Sequence, residues 1–331
     1  MKKILLSLSV VAIAAATTSC NKNNGGETAP TYPGDSLVVE DKTRPLVLET
    51  TGAWCQYCPN GAEIMIGLEA YLGHDAVLLA NHVGDYFATG LTNNVEALFS
   101  ANFPAQGVPN FYVNNEDVGQ SPTASASAGV FVDPDVGVAA EVTANDSGWV
   151  VTPRVEFFEN VSGTQYLINA YLSLDSVAAK DYGNGVDLNQ TSSVSSVTTG
   201  SGTAPTIWAT DAAVVNGVPV ISQGDVYYHT GALNSRSTMY SKGWSEDPNS
   251  TVETAALSDW GLALSDVNPL MDDFAAGDVF GTRYTPFQLH VARPTIAPLE
   301  SNFSIHVIIW KVSTDVAGQY DYVNGVTVSA D

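Results

Sequence analysis

Cys55 and Cys58 stand two residues apart between segments of opposite character, and this junction constrains the chain more than any other feature. Before it, Pro45 to Thr51 (PLVLETT) reads as a strand. After it, Asn60 to Leu72 sets Ile64, Met65, Leu68, Tyr71 and Leu72 mainly at helical spacing. The order is therefore strand, Trp54–Cys55–Gln56–Tyr57–Cys58–Pro59, helix. The chain has three cysteines, and Cys20 is accounted for by the N-terminal signal described below, so Cys55 and Cys58 either pair or bind metal. A tetrahedral zinc site needs a second ligand pair, and no other cysteine supplies one. A helix that begins beside the sulfurs directs unpaired N–H groups and the positive end of its dipole at Cys55, which favours a thiolate. The spacing predicts a redox site with Cys55 at the exposed helix start as the attacking sulfur. Cys58, one turn further in, is then the resolving one.

The residues around this pair resemble the thioredoxin superfamily. Trp54 to Cys58 looks like the family's WCxxC, and Glu49, six residues before Cys55, stands where the family has a buried acid, with Glu in place of Asp. Gly107–Val108–Pro109–Asn110–Phe111–Tyr112–Val113–Asn114 looks like the loop whose cis-proline faces the site, and Ala76–Val83 supplies a strand between helix and loop in the matching order. The resemblance implies an α/β thioredoxin-like domain over residues 36–132. A buried Glu49 has a raised pKa and exchanges a proton with Cys58; the plainer reading is a strand-end carboxylate in water. Pro109 leaves a neighbouring backbone group free for a bound peptide while packing near the sulfurs, or is an ordinary turn proline. Trp54 is a shield over the disulfide or a core aromatic. His74 and His82 are the two histidines of this region; with the thiols they would make a metal site of the copper-handling kind, against which stands a purely structural role. No cofactor is expected beyond a redox-active Cys55–Cys58 disulfide. The longer phrase Val47–Gly61 resembles the Omp-twenty-eight-related outer-membrane family, lipoproteins in which a thioredoxin-like module precedes a β-rich region. That likeness implies location and architecture more than activity.

The first nineteen residues read as a lipoprotein signal peptide. Lys2 and Lys3 precede a short apolar run, Ile4–Ala16, and Thr17, Thr18 and Ser19 lead to Cys20, in a pattern that resembles a lipobox with Thr where Leu is usual. Cys20 is then the lipid attachment site, and residues 20–35, rich in Asn, Gly and Pro, are a flexible tether. Cleavage before Cys20 removes two lysines and no acid, which takes the formal charge from −23 to −25. That balance repels phosphate backbones and excludes nucleic acid as a partner. No internal run reaches the roughly 18 apolar residues of a spanning helix, so the lipid is the expected membrane contact. The implied location is the outer membrane of the cell envelope, on either face.

From residue 133 the pattern becomes one of strands, which predicts an all-β sandwich of immunoglobulin-like type over 133–331. Val136, Val138, Ala140, Val142 and Ala144 alternate, a turn falls at Asn145–Gly148, and Trp149–Phe158 continues the meander. Tyr166, Ile168, Ala170, Leu172 and Leu174 share a face; Phe303–Val312 and Tyr320–Val328 follow, the latter broken at Asn324–Gly325. Gln190–Pro205 is low in complexity and reads as a surface loop or strand edge. His229, His290 and His306 are far apart and form no triad. Asp266, Asp272, Asp273 and Asp278 lack the spacing of a Ca²⁺ loop and read as a solvated acidic face. Two functions fit: an envelope thiol–disulfide oxidoreductase or redox-linked protein with envelope proteins as disulfide partners, or a non-catalytic lipoprotein with a structural CxxC disulfide and a partner-binding β domain.

Overall fold

From Leu46 to Gly129 strands and helices alternate as β1 (Leu46–Thr51), α1 (Cys58–Leu72), β2 (Val77–His82), α2 (Gly90–Asn102), β3 (Asn110–Val113), β4 (Glu116–Gly119) and α3 (Pro122–Gly129). In this computed structural model β2 lies parallel to β1, with Leu46 opposite Val77 and Thr51 opposite His82, while β3 and β4 run antiparallel on the other side. β1 is buried at every position because helices cover both of its faces. Leu46 and Leu48, with Val77 and Leu79, pack on Leu91, Val95 and Phe99 of α2. Val47, with Phe111 and Val113, packs on Met65 and Leu68 of α1 and Ala126 of α3. Alternation along a strand thus explains why one apolar run feeds two layers.

The structure describes residues 31–102, 107–179, 181–183, 185–191, 197–199, 202–204, 212–215, 218–221, 228–247, 249–268, 273–294, 302–314 and 318–330. The signal peptide, Cys20, most of the tether, Asp272 and half of Gln190–Pro205 lie outside them. The last tether residues, 31–35, belong to the fold instead. Tyr32 is buried edge-on against Trp244, its hydroxyl donates to the Phe287 carbonyl (2.8 Å) and accepts from the Phe287 N–H (3.1 Å), and Arg154 Nη1 donates to the Gly34 carbonyl (3.2 Å).

Beyond α3 the chain is almost entirely strand: β5 (Val136–Asn145), β6 (Gly148–Phe157), β7 (Tyr166–Asp175), the two-residue β8 (Gln190–Thr191), β9 (Val218–Ile221), β10 (Ala232–Lys242), β11 (Phe287–Ala292), β12 (Asn302–Val312) and β13 (Tyr320–Ser329), with shorter strands between them. Asn145 Oδ1 accepts the N–H groups of Ser147 and Gly148 and so turns β5 into β6. β5, β6 and β11 face β7 and β12 across one core, where Val138, Trp149, Val151, Phe157 and Leu289 meet Ile168, Ala170, Leu172, Val307 and Ile309. β10 belongs to both layers: Ala232–Arg236 pair with β7, and after irregular register Ser237–Lys242 pair with β11. Strands that switch sheets through such irregularities make the corners of packed sheets.

The turn expected at Asn324–Gly325 is absent: β13 runs through it, with one register irregularity against β12 between Tyr322 and Asn324. Asn324 is fully buried inside β13, and all its amide valences are used: Oδ1 accepts from Arg44 N–H (3.0 Å) and Gly325 N–H (2.9 Å), and Nδ2 donates to the carbonyls of Lys42 and Val136 (2.9 Å each). A side chain satisfied in this way overrides the turn preference of Asn-Gly.

Residue 133 marks a change of element type without a break in packing. Among the described residues fourteen strands form one hydrogen-bonded network, running β4-β3-β1-β2-β10 and on through β7 to β12 and β13. Residues 31–331 form one compact unit, and the core over α2 includes Tyr171, Leu233, Ile308, Trp310 and Tyr322 from beyond the expected boundary. A buried large apolar side chain contributes about 1.5–3 kcal/mol, and a small domain has a net stability of only about 5–15 kcal/mol. Loss of these five neighbours therefore removes most of the margin. Residues 36–132 produced alone should be largely unfolded, measured as non-cooperative thermal unfolding by circular dichroism and poorly dispersed amide NMR signals; a sharp melt would show two independent cores.

Candidate functional site

The CxxC turn connects the buried end of β1 to α1. Cys55 N–H bonds the Gly52 carbonyl (2.9 Å), Cys58 N–H the Cys55 carbonyl (3.3 Å), and α1 begins at Cys58 itself, with Pro59 in its first turn, where a missing N–H costs nothing. Cys55 and Cys58 are joined by a disulfide with Cα atoms 5.4 Å apart. Cys58 is fully buried. Cys55 is only 4% exposed, so the exposed helix-start position expected for it is not what the fold provides. Its neighbours behave oppositely, Trp54 and Tyr57 being 54% and 57% exposed.

Trp54 is therefore not a core aromatic. Its Nε1 donates to the Val83 carbonyl (2.7 Å) and its ring lies against Gly52, where a Cβ would sit 2.7 Å from Nε1. With Thr50, Cys55, Tyr57, Val83, Glu96, Val108 and Thr191 it walls a groove of about 530 Å³. Val108–Pro109 is a cis peptide, and the Val108 carbonyl oxygen lies 3.5 Å from Cys55 Sγ.

Glu49 is buried under the first turns of α1, and its Oε1 has no hydrogen-bond partner. Gly61 lies one turn beyond Cys58 on the same helix face. The volume that a Cβ at Gly61 would need is occupied by Glu49 Oε1 and, at 2.8 Å, by Pro109 Cβ. A glycine in a helix interior costs about 1 kcal/mol relative to alanine; here it admits a carboxyl and a proline beside the disulfide. Burial pushes the Glu49 pKa up to about 8, against a weaker lowering by a hydrogen bond from Thr51, so the carboxyl is mostly protonated at neutral pH.

Sequence reasoning missed a second carboxylate. Asp85 lies behind the turn with its side chain only 6% exposed and accepts from Ala53 N–H (2.7 Å) and Phe87 N–H (2.9 Å), with His82 Nδ1 at 2.6 Å. Burial raises its pKa, but the His82 hydrogen bond and charge, with the two backbone donors, outweigh it and hold Asp85 below its usual value. The local spacing His82-x-x-Asp85 was the available signal. His229, from the β-rich part, packs edge-on against His82 with ring centroids 5.3 Å apart, and burial pushes its pKa down to about 3. With Glu49, His82, Asp175 and His306 it lines a second cavity of about 670 Å³. His306 lies between Ser173 Oγ and Thr327 Oγ1 (2.9 Å each), within the sheet.

Among the described residues no group of three or more His, Cys, Asp or Glu side chains is placed to hold a metal ion, and no helix is long and apolar enough to cross a membrane. Asp273 and Asp278 accept backbone N–H groups of Gly163 and Ala275 in surface turns.

No family model matches the chain, and no curated protein matches it. Among solved structures it is similar to HBP35 of Porphyromonas gingivalis, at 13% identity and a TM-score of 0.53, over 88% of this chain and 76% of that one. Protein AGR_C_4864 from Agrobacterium tumefaciens aligns over 88% of this chain and 96% of that one, at 11% identity and a TM-score of 0.41. The first likeness concerns fold alone, and agrees with a mostly β-sheet chain carrying few helices.

Because Glu49 is protonated in the folded state up to about pH 8 and ionises near 4.5 in the unfolded chain, it contributes fully below pH 4.5 and its contribution is lost as pH rises towards 8. Glu49→Gln removes this titration. Urea unfolding of the oxidised proteins should show the variant gaining on the parent by about 2–4 kcal/mol between pH 4.5 and 8; parallel pH profiles would refute the buried acid.

Proposed function

We propose that the chain is a lipid-anchored protein of the outer membrane, related to the Omp-twenty-eight-related lipoproteins, whose thioredoxin-like part carries out thiol–disulfide exchange next to an immunoglobulin-like β-sandwich. The observation that carries this reading is the asymmetry around Cys55–Cys58: Cys55 borders a groove, and Cys58 is fully buried as the first residue of the helix whose first turns cover a protonated carboxyl. In the reaction, a thiolate of an envelope protein attacks Cys55 Sγ. The new intermolecular S–S bond forms as the Cys55–Cys58 bond breaks, and Cys58 leaves with the electron pair as a thiolate. Glu49, protonated at neutral pH, donates its proton to that sulfur. A second thiolate of the partner then attacks the partner's own sulfur in the mixed disulfide and expels Cys55 as thiolate. The partner dithiol is oxidised to a disulfide, and the two electrons rest on Cys55 and Cys58.

A second reading, a purely structural disulfide, is favoured by the burial of both sulfurs. The two differ in potential and in trapping. Exchange requires a reduction potential well above roughly −300 mV and capture of envelope proteins on Cys55 in Cys58→Ser, with Cys55→Ser capturing few. A lower potential with no capture by either variant leaves the structural reading.

The anchor has its own test. Intact mass of the membrane-extracted protein should correspond to a chain beginning at Cys20 with added acyl groups, and Cys20→Ser should be released in soluble form. An unmodified mass, or a Cys20→Ser protein that stays with the membrane in high salt, would remove the lipid from the reading.

A further inference from the structure

Gln190 and Thr191 lie on the long excursion that leaves β7 and returns at β10, yet they touch the CxxC turn. Thr191 N–H donates to the Ala53 carbonyl (2.8 Å). Gln190 Nε2 donates to the Cys55 carbonyl (2.9 Å), to Thr191's own carbonyl (2.9 Å) and, at 3.4 Å, to that of Gly52. The carbonyls of residues 52, 53 and 55 are thus all engaged from a distant part of the chain. Gln190 is 1% exposed, and a buried carboxamide is tolerated only where its donors are used.

The pair is also held by contacts outside the CxxC turn. It forms β8, with Gln190 opposite Ile221 and Thr191 opposite Val220 of β9. Just before it, Leu188 is buried with Phe87, Leu174, Val177 and Ala232, and its carbonyl accepts from His229 Nε2 at 2.9 Å. Thr191 lines the same groove as Cys55 and Val108. Cys55 thus sits between two exposed aromatics, with the Val108 carbonyl at its sulfur and Gln190 and Thr191 on the carbonyls of its turn.

We propose that Gln190 and Thr191 form a strap that determines which partners reach Cys55: small thiol compounds enter the groove beside Val108, and cysteines embedded in the surface of a folded protein are turned away while the strap is in place. Its biological meaning rests on the exchange reading above, but the steric claim does not. Lifting the strap breaks two or three hydrogen bonds and exposes the turn carbonyls as a pairing edge for a larger partner.

The test uses the full mature chain with Cys58→Ser, so that Cys55 is a free thiol, and compares alkylation by iodoacetamide with coupling to a maleimide on a bulky polymer. Gln190→Ala and Gln190→Glu remove the carboxamide donor, and Thr191→Pro removes the N–H. Loss of one net hydrogen bond of about 1–1.5 kcal/mol corresponds to about a tenfold change. Each variant should therefore raise the bulky-reagent rate about tenfold, and the iodoacetamide rate by much less. Unchanged rates for both reagents in variants with parental circular dichroism, or equal gains for both, would overturn the strap. Should Thr191→Pro fail to fold, the two Gln190 variants decide. If the wild-type disulfide has a potential below roughly −300 mV while the strap variants still accelerate bulky coupling, the exchange reading fails and the strap stands.

Discussion

A parallel strand at the edge of a sheet presents a row of unpaired backbone groups, and β2 would be such a strand if the fold ended at α3. Residues Gly231 and Ala232 cover it. Ala80 N–H donates to the Gly231 carbonyl (2.8 Å) and Ala232 pairs with Ala80 in parallel register. Gly231 makes this approach with φ at +66°, a conformation that favours glycine, where a Cβ would lie 3.6 Å from the Leu78 carbonyl oxygen. From this short contact the rest of the sheet follows. β10 brings β7, β7 brings β12, and their outer residues Tyr171, Ile308 and Trp310 complete the apolar surface on which α2 rests.

The same seam organises the CxxC turn. From behind, Asp85 holds Ala53 N–H and is itself held by His82 at the end of β2. From the side, Gln190 and Thr191 hold the turn's carbonyls, and the segment that carries them is fixed by His229 through Leu188. His82 and His229 meet edge-on, with Phe87 against both rings at 4.6 and 4.8 Å. The contacts close a circuit that starts and ends on the turn and crosses between the two parts of the chain at the histidine pair. A buried neutral His229 is compatible with this packing, since a charge on its ring would have to be carried in an apolar setting.

What was legible in the sequence was what is local. The strand–CxxC–helix order depends on contiguous spacing, and the β5–β6 hairpin depends on alternation and one Asn-x-x-Gly turn, so both were read directly. β10 was not, because ALNSRSTMYSK buries polar groups such as Ser237, whose hydroxyl donates to the Met239 carbonyl and accepts from His290 N–H; no apolar period marks it. Gln190 sat in a low-complexity stretch, and its partner carbonyl is 135 residues away. Asn324–Gly325 carried a strong turn signal that a set of four long-range and local hydrogen bonds overrules. Glu49 and Pro109 were placed near the sulfurs by resemblance, but the glycine that lets them meet, Gly61, is identified only by the space its side chain lacks.

Charge adds to shape at the groove. Among the described residues that line it the one formal charge is Glu96, whose carboxylate accepts the Thr50 hydroxyl at 2.9 Å, and none of them is a lysine or arginine. The surrounding chain carries a formal charge of −23 even before any leader is removed. A thiolate approaching Cys55 therefore moves against an acidic field that no cation among the described lining residues offsets, and a second negative charge on the same molecule adds to the penalty. If Cys55 exchanges as proposed, partners with neutral or basic surroundings of the reacting cysteine would be favoured, and added salt would weaken this discrimination by screening the field beyond about 10 Å at 0.1 M ionic strength. In the exchange proposed above, the strap would then select partners at Cys55 by size, and the acidic surface would select them by charge.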